Sequence, residues 1–174
     1  LTHFEDPDVL RIVKINKIDT IKKYSNFCLK ELNNYIDTDY CLLIQYDGFI
    51  LNPEKWTDKF LEYDYIGCVD TTKVNKELVT KEDDRLVGNG GFSLRSKKLL
   101  NILQNTEEID IEKSLDLGED YIISSLYRDF LKGKGIRFAQ KDIANLFATN
   151  TTDQSMNSKD AESFGIHTLI RSIC

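Results

Sequence analysis

The sequence predicts one α/β layered domain over residues 1–174, with a largely parallel or mixed sheet flanked by helices. Three observations carry this. Short apolar runs of strand length, such as those at 41–49, 63–69 and 136–139, alternate with segments of helical apolar spacing. The connections between them are mostly short. At 174 residues and 41% hydrophobic, the chain has the size and apolar content of one packed domain.

Taken in order, residues 1–8 read as loop. The β-branched, partly alternating run at 9–15 predicts a strand. Asp19 or Thr20 caps a helix reaching near Ile36, with Ile21, Tyr24, Cys28, Leu32 and Tyr35 on its apolar face. Asp37-Thr38-Asp39 turns the chain into a buried strand from Cys41 to Phe49 that closes on Asp47-Gly48. Asn52-Pro53 opens a helix that buries Trp56, Phe60 and Leu61. A second core strand lies within 63–69. Residues 70–86 are charged and aperiodic, either a functional lid or plain disorder.

The glycines of Val87-Gly88-Asn89-Gly90-Gly91-Phe92-Ser93-Leu94 permit close backbone approach to a ligand, or a bulge or turn. Ser96 caps a helix through Leu99, Leu100, Ile102 and Leu103. Acidic residues 105–117 read as a solvated connection. Gly118-Glu119-Asp120 opens a further helix ending at Gly133 and Gly135. A short strand at 136–139, a helix at 142–147, a polar loop at 148–160 and a final ordered stretch at 164–167 complete the chain.

Lys and Arg total 23 against 29 Asp and Glu, a formal charge of −6, which lacks the basic face of a nucleic-acid binder. No apolar run approaches the ~20 residues of a membrane span. The four cysteines, Cys28, Cys41, Cys68 and Cys174, form no CxxC pair, so the reading is a reducing, cytoplasmic compartment without a zinc site. The sequon Asn150-Thr151-Thr152 has meaning only after secretion.

Asp47 sits where a strand leaves the sheet and can hold a cation facing a phosphate; on this stretch alone the simple Asp-Gly turn is the favoured reading. Glu119 and Asp120 suit the positive end of a helix, or the place of a general base. His167 is a metal-capable imidazole or a structural side chain.

Together, Gln45-Tyr46-Asp47-Gly48, the run Gly88 to Arg95, Gly118-Glu119-Asp120 and Gly165-Ile166-His167 resemble, in order, the GT-A fold glycosyltransferases. Residues 35–67 and 87–96 look more closely like one family of predicted glycosyltransferases. The resemblance implies a GT-A-like, Rossmann-like domain that uses a nucleotide-sugar donor and a glycan or other hydroxyl acceptor. It implies a divalent cation, Mn²⁺ or Mg²⁺, held by Asp47 and His167. The donor would lie against Gln45, Asp47, Asn89, Gly90 and Gly91. Asp120 would be the base of an inverting transfer, with Glu119 its alternate or an acceptor-binding acid. Gln45 stands where that fold usually has the first acid of Asp-x-Asp, and the fold's opening strand and helix are expected ahead of Leu1. A non-catalytic nucleotide- or sugar-binding relative, a nucleotidyltransferase and a plain structural domain are the alternatives. The nucleotidyltransferase would need a glycine- and lysine-rich loop after its first strand, and none is visible.

Overall fold

Two three-stranded sheets organise the chain, which a computed structural model describes over residues 11–69, 87–110, 117–151 and 162–168. The first sheet has β1 (Tyr40–Ile44) and β3 (Tyr65–Val69) on either side of β4 (Val87–Ser96), both antiparallel to it. In the second, β6 (Gly165–Thr168) lies between β2 (Gly48–Ile50), antiparallel to it, and β5 (Ala148–Thr151), parallel to it. The chain is therefore mixed α/β. A single, mostly parallel sheet is not among the described strands. It was expected from the alternation of helical and strand-like segments, and that alternation does not by itself fix strand direction. The long central strand β4 pairs antiparallel with both of its neighbours.

Strand period 2 sorts the core into two clusters. Ile66 and Cys68 of β3 and Phe92 and Leu94 of β4 pack with Phe60, Phe147 and Phe164. Tyr65 packs instead with Leu99, Leu103, Ile122, Ile123 and Leu131. The second cluster is supplied by helices α2 (Lys97–Asn105), α3 (Glu119–Tyr121) with its wide continuation Ile122–Leu126, and α4 (Arg128–Gly133). Ser96 caps α2 as expected, its Oγ accepting from Leu99 N at 3.0 Å. The same hydroxyl donates to buried Asp64 at 2.7 Å, which ties the end of β4 to the start of β3. Gly135 has φ 79°, the left-handed conformation that ends the α4 segment.

Several expectations are corrected. Residues 11–15 belong to no sheet and Ile12 is 86% exposed; β-branched residues make a strand only where a partner edge and a packing face exist. Thr20 caps the first helix, α1 (Ile21–Asn26), but a wide turn at Phe27–Glu31 and a tight one at Leu32–Tyr35 follow. Ser25, Cys28 and Leu29 are buried while Ile21 is exposed, so the buried face differs from the one expected. The run from Cys41 is half-buried, lies at the edge of the sheet among the described strands, and breaks at Ile44, because Gly48 N donates to Gln45 O at 2.9 Å and closes a turn. After Asn52, two short tight turns, Pro53–Lys55 and Asp58–Glu62, replace the expected helix. Phe60 is buried there and Trp56 is half-exposed. The strand at 136–139 reduces to one parallel bridge between Phe138 and Tyr65. α5 (Lys141–Phe147) appears as predicted, whereas Ala148–Thr151 is strand rather than loop. Within the expected solvated connection, Ile109 is buried in the second cluster. Residues 1–10, 70–86, 111–116 and 152–161, with the loop and lid readings made for them, lie outside the described residues.

Candidate functional site

The glycine run of β4 forms a bulge against β3. Ser93 pairs with Gly67, but Asn89 already pairs with Cys68, so Gly90, Gly91 and Phe92 stand outside the ladder. Asn89 holds this loop: its buried Oδ1 accepts from Gly91 N at 3.0 Å. On the other edge, Gln45 N donates to Gly91 O at 2.8 Å. Both glycines are required by close approach. A Cβ at Gly90 would stand 2.4 Å from Glu119 Oε1, and one at Gly91 would stand 2.1 Å from His167 Nε2. The chain's own acid and imidazole lie against this backbone.

Asp47 and His167 meet at Gly91. Asp47 comes from the turn between β1 and β2, and His167 is level with Gly48 across β2 and β6. Both are buried, at 4% and 5% exposure. His167 Nε2 lies 3.2 Å from Asp47 Oδ1, outside hydrogen-bond geometry, and neither ring nitrogen of His167 makes a hydrogen bond. An imidazole nitrogen and a carboxylate oxygen at this separation can pair as ions or converge on a divalent cation. Among the described residues no group of three His, Cys, Asp or Glu side chains gathers in this way. A cation at this place would therefore have at most Asp47 and His167 as ligands of those types among the described residues.

Glu119 and Asp120 open α3 against Gly90. Glu119 Oε1 accepts from Arg95 Nη2 at 2.7 Å, an ion pair with side chains 4% and 0% exposed. Arg95 Nε donates to Ser93 Oγ at 3.1 Å, and its guanidinium lies 5.6 Å from the centre of the Tyr65 ring. Burial works against the guanidinium charge, but Glu119, which faces and hydrogen-bonds it, outweighs that together with Tyr65 and Cys28 and holds Arg95 above its ordinary pKa. Asp120 is oriented by backbone donors: Oδ2 accepts from Gly90 N at 3.2 Å and Oδ1 from Tyr121 N at 2.8 Å.

Gln45 points to α1, its Nε2 donating to Tyr24 Oη at 2.9 Å. Burial raises the Tyr24 hydroxyl and pushes the Cys28 thiol up to about 12. The structure thus brings the predicted side chains close to one glycine step: His167, with Asp47 beside it, lies against Gly91, and Glu119 and Asp120 lie against Gly90. Sequence reasoning missed Arg95. Its charge sits at the end of a buried strand, a signal that a buried carboxylate partner is needed. A cavity of about 550 Å³ lies elsewhere, against α1, lined by Asn16, Lys17, Ile18, Lys23, Phe27 and Glu31 among others. Among the described residues no helix is long and apolar enough to cross a membrane.

No curated protein matches this chain. Residues 9–167 do match a protein family, and the chain belongs to that family, described as protein of unknown function (DUF5672).

Proposed function

We propose that this chain transfers a sugar from a nucleotide-sugar donor to an acceptor hydroxyl, with Mn²⁺ or Mg²⁺ held at Asp47 and His167. The observation that carries the reading is the buried Asp47–His167 contact at 3.2 Å, with an imidazole that makes no hydrogen bond. A divalent cation supplies charge stabilisation to a leaving diphosphate when bound. The residues of the chain do the rest. Asp47 and His167 orient the donor side. Asp120, aimed by the amides of Gly90 and Tyr121, is the base that takes the acceptor proton. The GT-A reading rests on these side chains and their order; of its central parallel sheet, the described strands supply only the β5–β6 pairing.

One observation favours a second reading, a nucleotide- or sugar-binding relative without turnover. Glu119 is committed to Arg95, and both oxygens of Asp120 accept backbone N–H groups, which are structural engagements.

Calorimetric titration of UDP and GDP, with and without Mn²⁺, tests the proposal. The expected result is metal-dependent nucleotide binding that Asp47→Ala abolishes, and sugar transfer that Asp120→Asn abolishes while nucleotide binding persists. Absence of nucleotide binding by folded protein overturns the donor site. Metal-dependent binding without transfer from any donor selects the second reading, and full transfer by Asp120→Asn removes Asp120 as base.

A further inference from the structure

We propose that the side-chain oxygen of Asn150 is a third protein ligand of the cation held by Asp47 and His167. The inference rests on the metal-assisted reading above. His167 occupies the central strand of the second sheet, level with Gly48 on β2 and with Asn150 on β5. Residues level on neighbouring strands project from the same face, so the carboxamide of Asn150 is the lateral neighbour of the His167 imidazole. Asn150 Oδ1 is buried and makes no hydrogen bond, as neither ring nitrogen of His167 does. A buried acceptor left in this state is costly, and two such side chains in one row of a sheet have a common remedy in a cation.

The chemistry of the ligand set agrees. A carboxamide oxygen is a hard ligand of the kind Mg²⁺ and Mn²⁺ accept, alongside carboxylate and imidazole. Gln45, at the place of the usual first acid, sends its Nε2 to Tyr24 Oη at 2.9 Å, so β5 supplies the second oxygen instead. One carboxylate, one imidazole and one neutral carboxamide leave a divalent ion with net positive charge. That charge suits an anionic diphosphate better than two carboxylates would.

The test is calorimetric titration of Mn²⁺ alone into wild type, Asp47→Ala, Asn150→Ala and Asn150→Asp, each checked for folding by its melting transition. Asp47→Ala should lose binding. Asn150→Ala should weaken it at least about tenfold, the scale on which even indirect partners of a metal ligand act. Asn150→Asp should bind Mn²⁺ more tightly than wild type, because it adds a charged oxygen in the same place. If Asp47→Ala loses binding while both Asn150 variants match wild type, Asn150 is no ligand and the Asp47–His167 site stands alone. If folded wild type takes up no Mn²⁺, the metal-assisted reading fails and this inference with it. Should Asn150→Ala not fold, Asn150→Asp decides: affinity equal to wild type overturns the assignment.

Discussion

Replacing Glu119 by Gln isolates the buried ion pair. The variant keeps the side-chain volume and one acceptor oxygen for Arg95 Nη2, and it removes only the charge. Arg95 is fully buried, and its Nη1 makes no hydrogen bond, so little solvent or protein polarity remains to compensate the guanidinium. Breaking a buried pair in this one-sided way costs about 3–5 kcal/mol. At roughly 2–4 °C per kcal/mol for a chain of this size, the melting temperature should fall by roughly 6–20 °C. Scanning calorimetry measures this directly. Replacing both partners with apolar residues, Arg95→Met with Glu119→Leu, should recover most of the loss, because the desolvation penalty of the guanidinium disappears with it. Amide exchange offers a local readout. Glu119 anchors the first turn of α3, and Gly90 N bonds to the next residue of that turn, so protection of the Gly90 amide should drop in Glu119→Gln. A stability loss below about 1 kcal/mol, the scale of a surface pair, would refute the claim that the pair is buried and mutually dependent.

Two further perturbations follow from the same geometry. Burial holds the Cys28 thiol near 12 against an ordinary value of 9.0. Below pH 9 both states keep the proton and the contribution is complete; from 9 towards 12 the unfolded thiol ionises while the folded one does not. Stability should therefore fall as pH rises through that window, by up to about 1.4 kcal/mol per unit. Urea midpoints of wild type and Cys28→Ala, compared at pH 8 and 10.5, measure it, and parallel pH curves would count against the buried thiol. Gly91→Ala places a Cβ 2.1 Å from His167 Nε2, so the imidazole must move. A stability loss of about 1–3 kcal/mol and loss of Mn²⁺ binding are expected from melting and calorimetry; an unchanged protein would mean that His167 does not rest on Gly91.

What was legible in the sequence was local. The Thr20 and Ser96 caps, the Asp47-Gly48 turn and the strand at Tyr65–Val69 each follow from residue chemistry within a few positions, and each is present. What was not legible depended on partners distant in sequence. The strand from Cys41 was read as buried, but β1 borders β4 on one side only among the described strands. Polar Ala148–Thr151 became a strand because β6, some fifteen residues on, offers it an edge. The wide turn at Phe27–Glu31 leaves no mark in a 3.6-residue period. Arg95 is the instructive miss. It was visible as a charge in a strand, but its partner lies 24 residues away and only the fold joins them.

The glycine step also bears on how the acid pair should be weighed. In the sequence, Gly90 and Gly91 suggested room for a ligand against the backbone. In the structure, Glu119 and His167 occupy the space their missing side chains leave. The glycines are thus explained without a ligand, and they cease to be evidence for one. The same fact couples the two halves of the site. The amide of Gly90 holds Asp120 and the α-carbon of Gly91 supports His167, so one peptide sets the positions of both. Structural engagement of Asp120 does not conflict with a proton-accepting role. Two backbone donors, Gly90 N and Tyr121 N, hold its carboxylate. Such donors fix the orientation of the carboxylate, which a general base requires as much as a helix cap does. The discriminating residue is therefore Asp120 rather than Glu119. Charge removal at Glu119 should act chiefly on stability, whereas Asp120→Asn keeps an acceptor oxygen for a backbone N–H and should act chiefly on transfer.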